Sequence, residues 1–90
     1  MYFLMPQISR FFGIIIAMYY DDHNPPHFHA KYGNDQYLIS ITDLTVIEGK
    51  IPSRALGMVI EWAITHQTEL SLNWELAKSL KPLHTIEPLQ

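Results

Sequence analysis

Three imidazoles and two carboxylates crowd between Asp21 and His29, in the run Tyr19-Tyr20-Asp21-Asp22-His23-Asn24-Pro25-Pro26-His27-Phe28-His29-Ala30-Lys31-Tyr32-Gly33. Two chemistries suit them. In the first, His23, His27 and His29, with Asp22, are ligands for a divalent transition metal such as zinc. Catalytic zinc takes three protein ligands and keeps one position for water. His-x-His spacing is common, however, and the plainer alternative is one satisfied interior histidine with neighbours facing solvent. In the second, the same histidines move protons near neutral pH without a metal. Cleaving a phosphate ester that way also needs a cation on the phosphate oxygens. Arg10 and Arg54 are the candidates, since a guanidinium grips phosphate through two parallel bonds. Arg54 sits where a helix is expected to begin, a place the helix dipole disfavours for a cation. An ordinary surface arginine, or one paired with Glu48 or Asp22, is the competing reading for each.

Positioning follows from backbone rules. Pro25 and Pro26 fix two φ angles, and Asn24 and Pro25 are pushed toward extended conformations, which predicts a stiff loop. His27 to Tyr32 then alternates like a strand. Residues two apart share a face, so His27 and His29 are expected together, opposite Phe28. Catalysis would further require them to open on a cleft that Arg10 or Arg54 reaches.

The rest of the chain reads as the scaffold. Phe11 to Tyr20 is β-branched and aromatic without polar alternation, which predicts one central strand over about 10–20. Strands follow at 27–32, 36–42 and 46–49, joined by short turns that force antiparallel pairing. From Pro52, apolar residues recur at three- and four-residue steps through Leu56, Val59, Ile60, Ala63, Leu70, Trp74 and Ala77, interrupted at Thr65-His66-Gln67-Thr68. That predicts one bent helix or two, over 53–65 and 67–80, stopped by Pro82. The expected fold is α+β: a four-stranded antiparallel meander packed against C-terminal helices. Residues 1–90 make a single domain, with an irregular lead-in at 1–9 and a tail at 81–90 whose Leu83, Ile86 and Leu89 fold back on the core. Trp62 and Trp74 read as core or interface anchors, and Tyr19, Tyr20, Tyr32 and Tyr37 as sheet tyrosines with hydroxyls at the rim. His66 and His84 are isolated and take no role.

Composition narrows the classes. The 90 residues include no cysteine, which removes disulfides and thiolate ligands, and the formal net charge of −3 lacks the basic footprint of a nucleic-acid-binding module. The apolar run at 11–20 is too short to span a bilayer, which takes about 20 residues. No leader pattern precedes it, so a cytoplasmic protein without membrane contact is expected. Either Met1 or Met5 could be the natural start.

The residues Arg10-Phe11-Phe12-Gly13-Ile14, Met18-Tyr19-Tyr20-Asp21-Asp22-His23, Pro25-Pro26-His27-Phe28-His29-Ala30, Glu48-Gly49, and Arg54 with Glu61-Trp62-Ala63 resemble the small bacterial family called domain of unknown function 4160. The likeness spans about residues 5–89. It implies a two-gene, toxin–antitoxin-like module, with this chain as the toxin and a small antitoxin-like protein from the adjacent gene as its partner. A homodimer is a further expectation. The positions it transfers are Arg10, Asp22, His23, Pro25, Pro26, His27, His29, Glu48, Arg54 and Trp62. Three functions are therefore carried forward. One is a toxin acting through the histidine–arginine cluster, with RNA or another phosphate ester as substrate. The second is a protein that inhibits its target by contact alone. The third is a small metal-binding domain.

Overall fold

A computed structural model describes residues 6–90; the choice between Met1 and Met5 lies outside them. Five strands form one antiparallel sheet in sequence order: β1 (Gln7–Phe11), β2 (Ile14–Ala17), β3 (His27–Tyr32), β4 (Asp35–Ser40) and β5 (Val46–Glu48). Two helices follow, α1 (Ser53–Ile64) and α2 (Gln67–Lys78).

The α+β meander is as expected, but it has five strands, not four. The run predicted as one strand over 10–20 is a hairpin. Phe11 pairs with Ile14 across a two-residue turn, in which Phe12 and Gly13 both have positive φ, 49° and 81°. Two left-handed residues match the twist of a hairpin. Glycine adopts that conformation freely and phenylalanine does not. An apolar turn left the run without polar punctuation, and Gly13 was its only signal. β1 begins at Gln7, so part of the expected lead-in belongs to the sheet.

Each face of β3 goes where its alternation sends it. Phe28 packs against Trp62 of α1, with ring centroids 6.0 Å apart, and Trp62 also meets Phe11 at 5.5 Å. Ile14, Ile16, Phe28, Ala30, Tyr37 and Ile39 form the buried layer with Val59, Trp62 and Ala63.

α2 runs across one end of the sheet. The Gln67 side chain donates to the carbonyl of Ile41, just past β4. Trp74 lies against the ring of His27 at the start of β3, centroids 5.2 Å apart. The carbonyl of Ala77 accepts from the N–H of Asp21, beyond β2. Successive parts of α2 thus meet the ends of β4, β3 and β2 in turn.

α2 ends at Lys78, and Leu80 takes a positive φ of 57°, so the helix stops before Pro82 acts. The tail folds back as expected. Ile86 is buried and donates its N–H to Ile8, while Leu83 and Leu89 pack on the core. Asn73, fully buried, both donates to the carbonyl of His84 and accepts from its N–H, at 2.9 Å each. The indole N–H of Trp62 donates to the carbonyl of Glu87 at 2.7 Å. No helix among the described residues is long and apolar enough to cross a membrane.

Candidate metal centre

The polar cluster forms where the loop after β2 returns to the first residues of β3. Asp21 has a positive φ of 50°, which turns the chain back, and the Asn24–Pro25 peptide is cis. The loop holds Asp22 against the β3 histidines. His27 and His29 share a face, as period-two alternation requires, with ring centroids 5.3 Å apart.

Their surroundings differ. His27 is 2 % exposed, and both its ring nitrogens are engaged. Nδ1 lies 2.7 Å from the carbonyl of Pro25. A carbonyl only accepts, so Nδ1 donates to it, and in the metal-free protein Nε2 donates in turn to Asp22 Oδ2, 2.9 Å away. His29 is 5 % exposed, and neither of its ring nitrogens has a hydrogen-bond partner. Its Nε2 stands 3.5 Å from the same Oδ2. Its ring meets Tyr19 edge-on at 4.5 Å.

One carboxylate oxygen thus faces two imidazole nitrogens, and one donor atom from each of Asp22, His27 and His29 falls within 4.8 Å of the others. Two donors each bound about 2.0–2.1 Å from a tetrahedral zinc lie roughly 3.3–3.4 Å apart. The observed 2.9 and 3.5 Å bracket that separation. The Pro25 carbonyl supplies what metal-bound histidines usually have, an acceptor for the other ring N–H that fixes tautomer and orientation. His29 has no such acceptor; its Nδ1 is buried without one.

Electrostatics favour the ligand forms. Burial pushes the Asp22 carboxyl up, but the His23 backbone N–H, the charge of His27 and polar contacts with His29 and His27 together hold it below its ordinary 3.8. Burial also pushes His29 below its ordinary 6.5; nearby His27 and Lys31 add to this, while Asp22 opposes it without reversing it. Asp22 as a carboxylate and His29 as a neutral imidazole are in the forms that take up a cation, while Nε2 of His27 would release its proton on binding one.

The remaining candidates lie further out. His23 is at the mouth, its side chain 89 % exposed and its Nδ1 3.0 Å from Asp22 Oδ1, the oxygen turned away from the other two rings. Arg10 is exposed and pairs with Ile15, whose other neighbour is Lys31. It shares the histidines' face but lies two strands from Lys31, about 10 Å at the usual strand spacing. Arg54 lines a groove with Phe12 and Tyr32, at the opposite end of β3 from His27. Five residues of strand separate those ends, roughly 17 Å. The expected cleft joining the histidines to an arginine is therefore not formed. His27 and His29 are buried, and Asp22, its side chain 15 % exposed, with His23 provides the way to solvent. Sequence reasoning missed Trp74 as the wall behind His27, because the contact joins residues far apart in the chain.

The family described as Domain of unknown function (DUF4160) matches residues 13–75. That span contains Asp22, His23, His27, His29 and Arg54 and leaves Arg10 outside. No curated protein and no solved structure matches the chain.

Proposed function

The chain belongs to the DUF4160 family, and because that family's description carries no reaction, we propose a function from the site itself: a small metal-binding protein. Asp22, His27 and His29 hold a divalent transition metal, zinc being the natural candidate for a nitrogen–oxygen donor set. The observation that carries this reading is His29. Its two ring nitrogens are buried and unpaired, and one faces the carboxylate that His27 also meets. Burying such nitrogens without partners is unfavourable, and a cation at that point gives Nε2 a partner. Histidines sealed in an apolar core would have no such use; these are buried against a carboxylate that reaches solvent.

Bound there, the metal would tie the loop after β2 to the start of β3. The two histidines are buried and only Asp22 reaches solvent among the three, which favours a protein that works on its cellular target by contact, as the toxin-like half of a two-gene pair. A second reading, a toxin acting on RNA or another phosphate ester, is favoured by the three-ligand set, which leaves a position for water, and by exposed His23 beside it as a proton carrier.

Titrating metal-stripped protein with Co(II) and Zn(II) tests the centre. A stoichiometric ion with visible Co(II) bands is expected, lost in His29→Ala and Asp22→Ala while circular dichroism stays native. A folded wild type that takes up neither ion at micromolar concentration overturns it. Assaying the loaded protein on labelled RNA separates the two readings. Growth of a bacterial host expressing the chain, with and without the adjacent gene's product, tests the toxin role, and co-purification of the pair tests the partner.

A further inference from the structure

A second feature lies at the far end of β3, away from the histidines. Phe12, Tyr32, Pro52, Arg54, Ala55 and Met58 enclose a groove of about 510 Å³ between the β1–β2 turn and the start of α1. Phe12 is the unusual member. Its turn needs two residues with positive φ, which asparagine and glycine supply without strain. A phenylalanine occupies the first position at φ 49°, and the residue is 61 % exposed. Neither backbone preference nor burial accounts for it. Tyr32, also exposed, stands beside the turn, since a Cβ added at Gly13 would lie 3.7 Å from its ring.

Charge says what fits. Arg54 is the one charged residue lining the groove. No acid occupies the first turn of α1, and Pro52 at its N-cap offers no side-chain acceptor. Among the described residues no carboxylate pairs with Arg54. An apolar trough with one unanswered guanidinium at a helix start complements a carboxylate set among large apolar side chains. A nucleic-acid strand fits less well, because its binding rests on several phosphate contacts and the groove has a single cation.

We propose that this groove docks an acidic, apolar-rich segment of a partner protein, with Phe12 and Tyr32 as aromatic anchors and Arg54 as the carboxylate clamp. Aromatic residues and arginine dominate the energetics of such contacts. The proposal does not depend on the metal centre.

The test uses two fluorescent peptides on the full chain, one alternating Leu with Glu and one alternating Leu with Lys, plus a labelled single-stranded RNA. The Leu–Glu peptide is expected to bind, and the Leu–Lys peptide to bind roughly tenfold or more weakly. Phe12→Asn suits the turn better than phenylalanine, so it should keep or raise the melting temperature while weakening the Leu–Glu peptide roughly tenfold. Arg54→Glu should reverse the preference between the peptides. Equal binding of both peptides, unchanged binding in Phe12→Asn, or RNA binding that Phe12→Asn abolishes would each overturn the proposal. So would a concentration-dependent dimer that Phe12→Asn dissolves, since the occupant would then be a second copy of the chain.

Discussion

His27 and His29 are chemically identical and sit two residues apart, yet substitution should separate them. His27 satisfies the Pro25 carbonyl and meets Asp22, so His27→Leu leaves a part-buried acceptor and a partly buried carboxylate without their partner. A cost of about 1–3 kcal/mol is expected in urea unfolding of the metal-free protein. His29→Leu removes two unpaired nitrogens and fills the site with carbon, so stability should hold or rise. A larger loss in His29→Leu than in His27→Leu would show that His29 has a partner in solution. Acid acts on the same residue. Its folded-state pKa lies below 6.5, so the unfolded chain binds its proton first. Stability is full above pH 6.5, declines as pH falls toward the depressed folded value, and then levels. Asp22 adds a second loss that begins near 3.8 and ends at its own depressed value. Urea midpoints measured against pH should show the first decline in wild type and not in His29→Leu.

α2 and the tail depend on each other. α2 closes the end of the sheet, and the tail is held to it by Asn73, whose amide answers both backbone groups of His84. Asn73→Leu leaves those groups without partners while keeping the volume. The expected cost is roughly 1–3 kcal/mol, with faster proteolysis beyond Leu80 at unchanged sheet content. Uniform slowing or no change in cleavage would show that Ile86 alone holds the tail. β5 depends on one glycine. At Gly49, φ is 97°, and a Cβ would clash with the Gln36 carbonyl oxygen, so an alanine there must displace the strand from β4. Amide exchange at Val46 to Glu48 in Gly49→Ala should rise well above that of β3.

For the whole molecule, the proposed metal centre would join distant parts of the chain. The loop after β2, the start of β3 and Trp74 of α2 meet there, so an ion bound only by the folded state stabilises all three together. At a hundredfold excess over its dissociation constant, such an ion adds about 2.7 kcal/mol. In a domain of this size that raises the melting temperature by roughly 10–20 °C. Calorimetry with Zn(II) and with chelator should show this rise, and it should vanish in His29→Ala. The docking groove lies at the other end of β3, so Phe12→Asn should leave the metal-dependent rise intact.

Local order was legible in the sequence wherever a short-range rule governs it. Alternation placed His27 and His29 together opposite Phe28, and three- and four-residue steps placed both helices within two residues of their ends. The same rules read Phe11 to Tyr20 as one strand, because the turn at Phe12–Gly13 contains no polar residue to mark it. Which candidates share a site was a tertiary matter. The start of α1 put Arg54 beside Tyr32, at the far end of β3 from His27, and only the packing of α2 across the sheet end brought Trp74 to His27. Burial was decided there too. It is the packing of loop, strand and helix that strips water from His29 and leaves its nitrogens beside Asp22 without partners, which spacing along the chain cannot express.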